Sequence, residues 1–460
     1  MAATMAPDLQ APGAGPWWKS MGRHHWMVLA IASLSWLFDC MDQRFFNLVR
    51  EPAMRSLLLA GMDEVPQTPE AKASLEKNVR TYGRYATAMV LLGWAVGGFF
   101  FGMMGDRIGR VKTMMITILI YAGFTGLSAL SLRWWDFILY RFLMGLGVGG
   151  LFAAAVSLVA EVMPAAARPH ALGLLQALST VGNILGSAIS LKLNPETLGF
   201  LQIANWRWLF VVGVLPALLV VVIQKTLREP ESWQRAKTKA SQDLHRQLGS
   251  WKDLFAPGLR RNTLVGLTLA VSGVIGLWAI AFFSPELIRE AMKRHPKEIQ
   301  GYYVSIGMML QDVGAFFGVY FFTLLASRFG RKPAFAVCFL LAFAATVITF
   351  NYLRLESHVY WMLPLLGFCS LSVFGGYSIY FPELYPTRLR SSGVGLCYNV
   401  GRVITTMAIF GVASLVELLR DFGVAEPFRV GSMLIAGIYF LGIAVLFWAP
   451  ETRGRPLRED

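Results

Sequence analysis

The sequence predicts an all-α polytopic membrane protein, with twelve transmembrane helices in two pseudo-symmetric six-helix bundles. Three observations support this prediction: the composition, the number of apolar runs and an internal repeat. Of the 460 residues, 55% are hydrophobic and 15% are charged, whereas soluble domains carry about 25% charged residues. The chain has too little charge to solvate a soluble surface of its size and too much apolar content for a disordered chain. The composition therefore argues against a soluble enzyme.

Twelve apolar runs are long enough to cross a bilayer, which takes about 20 residues in a helix. These spans are expected at 26–49, 81–104, 112–132, 135–160, 171–191, 206–225, 262–284, 302–326, 333–352, 358–381, 391–416 and 428–449. The chain then divides into a tail at 1–25, a first bundle at 26–225, a connector at 226–261, a second bundle at 262–449 and a tail at 450–460.

The net charge of +14 is explained by membrane topology and does not require a nucleic acid partner. Lys and Arg collect in the connector, in the turns after spans 2 and 8, and in the last tail, which an even number of spans puts on one side. Short cytoplasmic loops collect such residues. Both termini are therefore expected to be cytoplasmic, with the protein in the plasma (cell inner) membrane. The opposite loops, 50–80 and 285–300, also carry Lys and Arg, so the bias is moderate.

Two motif blocks recur in the same order in the two halves. Glu161 and Glu383 each begin a Glu-x-x-Pro motif, at an offset of 222 positions. A block of glycines and arginines recurs at an offset of 221: Gly93, Gly97, Arg107, Gly109 and Arg110 match Gly314, Gly318, Arg328, Gly330 and Arg331. Parallel repeats of six spans predict two bundles with a site between them near the midplane. The glycine pairs predict close helix packing.

Several short motifs resemble those of the major facilitator superfamily, over essentially the whole chain. Residues 102–110 (GMMGDRIGR) and 141–147 (RFLMGLG) resemble its loop 2–3 and span-4 signatures. Segments that resemble the sugar porter branch are 161–164 (EVMP) with Arg168, 230–232 (PES) and 450–455 (PETRGR). Residues 39–42 (DCMD) and 401–402 (GR) are instead similar to aromatic-acid and other metabolite:proton symporters, and span 7 lacks the paired glutamines of hexose carriers. The resemblance implies the major facilitator fold.

Span 1 and span 4 carry candidates for proton coupling. Ionisable side chains within a membrane are costly unless they are paired or hydrated, so they mark function. Asp39 and Asp42 lie three residues apart, on one face of a helix. The helical rise places Asp42 about 10 Å and Arg141 about 9 Å from the outer surface, so the two can pair. Proton-using sugar porters have an Asp and an Arg at the positions that these two resemble. We expect Asp42 and Arg141 to couple transport to a proton, with Asp39 as the second candidate; the alternative is a static ion pair.

Asp312 and Arg402 are both expected near the membrane midplane, about 15 Å and 16 Å from the nearer helix ends. Arg402 can hold a substrate carboxylate with two parallel hydrogen bonds. It can equally close a structural bridge to Asp312, or exchange that bridge for the substrate. Further amide and aromatic side chains are expected to line the substrate site or, alternatively, to pack helices together: Gln176, Asn183, Asn399, Trp278 and Tyr377.

Charged residues at the expected cytoplasmic helix ends are candidates for gating: Asp106, Arg107, Arg110, Glu161, Arg168, Glu383 and Arg390. In the superfamily that the chain resembles, such residues form networks that latch the outward-facing state. Salt bridges of about 1 kcal/mol suit a latch, because both states must stay populated. The alternative is that the arginines only set topology, but acidic residues contribute little to that rule.

The sequence therefore predicts a secondary transporter that uses alternating access, not an enzyme and without a cofactor or metal. The favoured function is proton symport of a small organic solute such as a carboxylate-bearing metabolite, by a monomer in the lipid bilayer. The alternatives are a sugar porter, either proton-coupled or facilitative, and a non-transporting membrane sensor.

Overall fold

The computed structural model describes residues 16–62, 67–195, 197–243 and 247–459, without the side chains at 278–283, 297–298 and 405–413. Most of the predicted tail 1–25 and the last residue lie outside this range. The predicted domain boundaries remain predictions.

Sixteen α-helices account for most of the described residues. They are α1 (Arg23–Ala60), α2 (Pro69–Ile108), α3 (Arg110–Ala129), α4 (Trp134–Val162), α5 (Arg168–Lys192), α6 (Asn205–Val212), α7 (Ala217–Thr226), α8 (Glu231–Gln242), α9 (Trp251–Leu254), α10 (Arg260–Ala291), α11 (Lys297–Phe329), α12 (Arg331–Tyr352), α13 (Glu356–Leu384), α14 (Arg390–Asp421), α15 (Pro427–Ala436) and α16 (Ile438–Val445).

Helices occupy all twelve predicted spans within the described residues, and two of the spans are broken. Nine of these helical segments are long and apolar enough to cross a membrane; α1, α10 and α14 lie at the other three predicted spans. Span 6 consists of α6 and α7, separated by a turn that ends at Pro216, which lacks the N–H that a continuous helix needs. Span 12 consists of α15 and α16, with Gly437 between them. The sequence predicted a single helix for each.

The prediction of a loop at 50–80 is wrong, because most of the described residues in this range are helical. α1 runs to Ala60 and α2 begins at Pro69, so both helices extend beyond the predicted spans. Arg55 on α1 and Glu76 on α2 pair at 3.0 Å and hold the two extensions together.

The glycine repeats pack helices closely within each bundle, as predicted. A Cβ atom placed on Gly93 or Gly97 would lie 2.1 or 2.0 Å from a backbone oxygen of α4. The equivalent positions, Gly314 and Gly318, would collide with backbone oxygens of α13 at 1.9 and 2.0 Å. The two bundles, α1–α7 and α10–α16, meet mainly where α2 contacts α14 and α5 contacts α11.

One side of the molecule holds the connector helices α8 and α9, the junctions α2–α3, α4–α5, α11–α12 and α13–α14, and residues 450–459. We call it the connector face. At two of its junctions, Gly109 and Gly330 adopt φ of 117° and 103°, which favours glycine. Glu229 accepts hydrogen bonds from three backbone N–H groups at the start of α3, and Glu451 from two at the start of α12. The two halves therefore share the same capped turn.

Burial alone would favour the protonated form of Glu451. Four backbone N–H groups, those of Arg331, Arg453, Lys332 and Thr452, donate to its carboxylate and hold the pKa of Glu451 below its ordinary value. The carboxylate is therefore ionised at neutral pH and stabilises the start of α12.

Candidate functional site

The middle of α1 carries three charged side chains that are shielded from solvent. Asp39 and Asp42 are fully buried, and the Arg44 side chain is 12% exposed. α1 packs against α4 and α5 here, so these charges lie inside the protein. Such buried charges within a span are functional candidates.

Asp42 and Arg141 lie beside each other, as the depth estimate predicted. The nearest nitrogen of Arg141 lies 3.6 Å from an Asp42 oxygen, and both side chains are buried. Two other nitrogens of Arg141 donate to Ser128 Oγ at 3.0 and 2.7 Å, and its guanidinium lies 4.4 Å from the Phe210 ring centre. Within the described residues neither Asp42 oxygen has a hydrogen-bond partner. Arg141 is thus fixed by other groups, while Asp42 is held mainly by charge.

Asp39 lies one turn before Gln43, whose amide donates to it at 2.8 Å. Its second oxygen has no hydrogen-bond partner within the described residues. Asp39 and Arg402 are close enough to interact electrostatically. Of the two carboxylates on span 1, Asp39 is therefore the one nearer to Arg402.

The bridge between Asp312 and Arg402, one of the alternatives that the sequence left open, is not formed in the described residues. Asp312 instead forms an ion pair with Arg44, across the interface between the bundles. Asn183 on α5 donates to its other oxygen at 3.3 Å. Arg44 on α1 thus takes the place that this alternative gave to Arg402.

Arg402 lies where α14 faces the first bundle. Its guanidinium carbon lies 3.7 Å from the ring centre of Trp94 on α2 and 4.2 Å from that of Tyr398. One nitrogen donates to the Tyr398 carbonyl and to Asn399 Oδ1, both at 3.3 Å. Asn399 in turn donates to the Gly395 carbonyl at 2.8 Å. Arg402 and Asn399 are therefore joined by a hydrogen bond, as their spacing of one helical turn suggested.

The remaining predicted lining residues differ from one another. Gln176 on α5 is 5% exposed, and its Oε1 has no hydrogen-bond partner within the described residues. Tyr377 is a correction: it is fully buried inside the second bundle, where its hydroxyl donates to the Leu269 carbonyl at 2.6 Å and its ring stacks on Phe381. Its environment favours packing over substrate contact. The Trp278 side chain lies outside the described residues.

Asp106 joins the two bundles at the connector face. It accepts hydrogen bonds from the backbone N–H groups of Ser391 at 3.0 Å and Ser392 at 2.8 Å, and from the Ser392 hydroxyl at 2.6 Å. Those serines begin α14, whose N-terminal N–H groups favour an anion. Arg110 lies 3.0 Å from the same carboxylate, within the first bundle.

Glu161 lies between two buried arginines. Arg110 of the first bundle donates to it at 2.9 Å, and Arg390 of the second bundle at 2.7 Å. Arg110 also donates to the Thr387 carbonyl at 2.6 Å, and Arg390 to the Arg458 carbonyl at 3.0 Å. We call Asp106, Arg110, Glu161 and Arg390 the connector-face network. Its members connect the bundles by direct hydrogen bonds.

The other three gating candidates do not connect the bundles by ion pairs within the described residues. Glu383 pairs with Arg331 at 2.6 Å, inside the second bundle. Arg168 donates to two backbone carbonyls near the end of α4. Arg107 donates to the Leu248 carbonyl of the connector at 3.3 Å. These three residues therefore do not link the bundles as the connector-face network does, and their predicted role in gating stays a prediction.

The interface between the bundles is asymmetric, although the halves are related. The position that matches Asp106 in the second half is Ser327, whose hydroxyl donates to the Thr323 carbonyl of its own helix at 2.8 Å. The described residues thus contain one carboxylate cap between the bundles, at the start of α14, and no counterpart at the start of α5.

Sequence reasoning missed Arg44, Glu229 and Trp94. The signal for Arg44 was present, because a third charge two residues after Asp42 continues the charged segment of span 1. For Glu229, the conserved spacing within the repeat would have sufficed: Glu451 lies at the same offset of 222 as the other paired motifs. Nothing local marks Trp94, because an aromatic residue in an apolar span is ordinary.

A comparison with protein families matches residues 70–408 to the Major Facilitator Superfamily. A putative metabolite transport protein of Haemophilus influenzae is 29% identical over 376 residues, which cover 80% of this chain and 86% of that protein. A cis,cis-muconate transport protein of Acinetobacter baylyi is 28% identical over 327 residues, 70% of this chain and 75% of that protein.

Among solved structures, the fold is similar to that of the proton:xylose symporter XylE bound to 6-bromo-6-deoxy-D-glucose. The TM-score is 0.73 at 16% sequence identity, and the match covers 95% of this chain and 98% of that one. This similarity confirms the predicted fold of twelve helices in two bundles.

Proposed function

Because this chain belongs to the major facilitator superfamily, whose members are integral membrane transporters and not enzymes, we propose that it carries a small organic anion together with a proton by alternating access. We also propose that the connector face is cytoplasmic, since Lys and Arg concentrate there.

The balance of buried charge is the observation that carries this proposal. Within the described residues, the centre of the protein holds three carboxylates and three guanidinium groups: Asp39, Asp42, Asp312, Arg44, Arg141 and Arg402. This set is formally neutral without a solute. A carboxylate that enters adds one negative charge, which is costly in a buried site unless it is compensated. One proton on a buried aspartate restores neutrality, so uptake of the anion favours uptake of a proton.

Asp42 is the proposed proton carrier, with Asp39 as the second candidate. Arg141 is held by Ser128, so it stays in place whether or not Asp42 is ionised. Arg141, at 3.6 Å, is the charged partner of the buried Asp42 carboxylate, so protonation of Asp42 would leave Arg141 in place and remove their attraction. Asp42 and Arg141 belong to the same bundle, so rocking exposes the pair alternately to the two sides of the membrane, and Asp42 would load its proton on one side and release it on the other.

Arg402 and Asn399 are the proposed anchor for the substrate carboxylate, near Trp94. An arginine fork matches a carboxylate geometrically, and the indole face offers apolar contact to the rest of a small acid. The muconate transport protein is a relative that is named for a carboxylate-bearing substrate. Asp312, Asn183 and Gln176 are proposed to complete the site.

A sugar porter is the second candidate. It is favoured by the contacts of Arg402, which is already held by a carbonyl, an amide and two aromatic faces. Such an arginine does not require an anion for its stability. A neutral solute also leaves the charge balance of the site unchanged.

Proteoliposomes that contain the purified protein distinguish these functions. Under an imposed inward proton gradient, a panel of labelled aromatic and aliphatic acids and sugars is tested for uphill uptake. We expect an acid to accumulate and the medium to become alkaline when it is added. Uphill uptake of a sugar with no acid transported would establish the second candidate. If the solute moves only down its own concentration gradient, transport is not coupled to a proton.

Substitutions assign the roles. Asp42→Asn is expected to abolish uphill uptake while exchange of labelled for unlabelled substrate continues, because the binding site remains. If Asp39→Asn does this instead, Asp39 is the carrier. Arg402→Lys keeps the charge and loses the fork, so the KM for the acid is expected to rise about tenfold or more. An unchanged KM would remove Arg402 from the anion site.

A further inference from the structure

A pocket of about 610 Å³ opens at the connector face, outside the interface between the bundles. Its walls come from the segment after α9, the first turns of α10, and the end of α16 with the turn that follows. Neither Asp42 nor Arg402 contributes to it. The proposed solute site therefore does not account for it.

The pocket is basic at one end and apolar along its length. Arg260 and Arg261 line it at the end where α10 begins. Further along α10, Leu264 and Val265 line it, and Thr268 lies about 12 Å from Arg260 by helical rise. No acidic residue lines the pocket, so its charge is uncompensated from within.

The two arginines differ in how they are held. Arg261 donates from Nε to the Trp448 carbonyl at 2.7 Å, which fixes its guanidinium beside the pocket. Arg260 is exposed, and within the described residues no hydrogen bond or ion pair engages its guanidinium. Phe255 and Trp448 are 40% and 62% exposed at the same level, where aromatic side chains mark the membrane–water interface.

We propose that this pocket is a binding site for one anionic phospholipid. The phosphate of the headgroup lies against Arg260 and Arg261, and an acyl chain follows the apolar wall of α10 and Val445 into the membrane. Basic pockets between transmembrane helices recognise such headgroups by charge. A free phosphate would use only the basic end, whereas the apolar wall of Leu264, Val265 and Val445 fits the chain that a lipid carries.

Native mass spectrometry of the purified full-length protein tests this proposal. The protein in detergent is titrated with phosphatidylglycerol and, separately, with phosphatidylcholine of the same acyl chains. One phosphatidylglycerol is expected to bind at least tenfold more tightly than phosphatidylcholine. Equal binding of the two lipids, or no retained lipid, would overturn the proposal.

Two variants locate the site. Arg260→Gln is expected to weaken phosphatidylglycerol binding at least tenfold without affecting folding, because that guanidinium has no protein partner within the described residues. Arg455→Gln removes the same charge from the exposed tail on the same face, outside the pocket lining, and is expected to leave binding unchanged. Equal effects of the two variants would reduce the interaction to general charge attraction and refute the site.

Inorganic phosphate separates the two sources of the anion. If millimolar phosphate does not displace phosphatidylglycerol, the acyl wall contributes to binding as proposed. If phosphate displaces the lipid at equal concentration, the site recognises a free anion and the lipid assignment is wrong.

Discussion

Asp106→Asn tests whether the connector-face network controls the balance between the two states of the transporter. The substitution keeps the size of the side chain and removes its charge. In the closed arrangement seen here, Asp106 accepts three hydrogen bonds from Ser391 and Ser392 across the bundle interface. Its ion pair with Arg110 lies inside one bundle, so that pair does not distinguish a closed connector face from an open one.

The magnitude follows from the three bonds across the interface. A hydrogen bond to a charged group contributes about 1.5–3 kcal/mol and a neutral one about 0.5–1.5 kcal/mol. Loss of the charge therefore costs the closed state about 1 kcal/mol for each bond, or about 3 kcal/mol in total. Such a change shifts the ratio of closed to open states about 100-fold, enough to take a population from 99:1 to near equality.

Spin-label distances across the connector face measure that ratio. Lys112 of the first bundle and Arg328 of the second are exposed on this face, and the four cysteines of the chain are buried. Cysteines introduced at the two exposed positions can therefore be labelled selectively. Asp106→Asn is expected to add a population at longer distance, which the parent protein lacks or barely shows.

Asp136→Asn is the matched control. Asp136 also caps a helix, accepting from the backbone N–H groups of Leu132 and Arg133 at 3.0 to 3.2 Å, but both partners lie in the same bundle. The distance distribution of this variant should match the parent. If Asp106→Asn also leaves the distribution unchanged, or if both variants change it alike, the reasoning about the interface is refuted.

Two further predictions concern packing and capping. A Cβ on Gly173 would lie 1.9 Å from Thr323 Oγ1 across the bundle interface, so Gly173→Ala should favour the open connector face by about 1–3 kcal/mol in the same distance measurement; Gly123→Ala, with nothing within 4 Å, should not. Glu451→Gln should lower thermal stability at pH 7 by about 1–3 kcal/mol, and Glu229→Gln should act similarly if the two turns are equivalent. Because folding lowers the pKa of Glu451, its contribution is present above about pH 4.3, the ordinary Glu value, and is lost as the pH falls through the lowered pKa; a loss on substitution that is as large at pH 3 as at pH 7 would contradict this.

The sequence was sufficient for the helices and their grouping, because membrane spans leave a strong signal in composition. Length and apolar content place the spans, and the repeat relates the halves. The breaks in spans 6 and 12 were less visible, since proline and glycine also occur inside continuous membrane helices. The extension of α1 to Ala60 was missed because its added turns are amphipathic rather than apolar.

For the candidate site, the sequence predicted the pairing of Asp42 with Arg141 but not the partner of Asp312. Helical rise gave the level of each charge, so Asp42 and Arg141 were matched correctly. Depth arithmetic considered only Arg402 as the partner of Asp312, and the structure pairs Asp312 with Arg44. The face that a helix turns toward its neighbours depends on tertiary packing, and depth arithmetic on one sequence does not determine it. Tyr377 was misplaced for the same reason, because a polar ring in a span can face either its own bundle or the opposite one.

The tail at 450–459 supports the joint between the bundles indirectly, through Thr387 and Arg390 of the second bundle. The Arg458 carbonyl accepts from the Thr387 backbone N–H at 3.2 Å and from Arg390 at 3.0 Å, and Arg390 holds Glu161. A version truncated before Arg458 for purification or crystallisation would thus lose the carbonyl that holds Arg390 in place beside Glu161. A reporter or affinity sequence attached here should follow a spacer after Arg458, so that this hydrogen bond is kept.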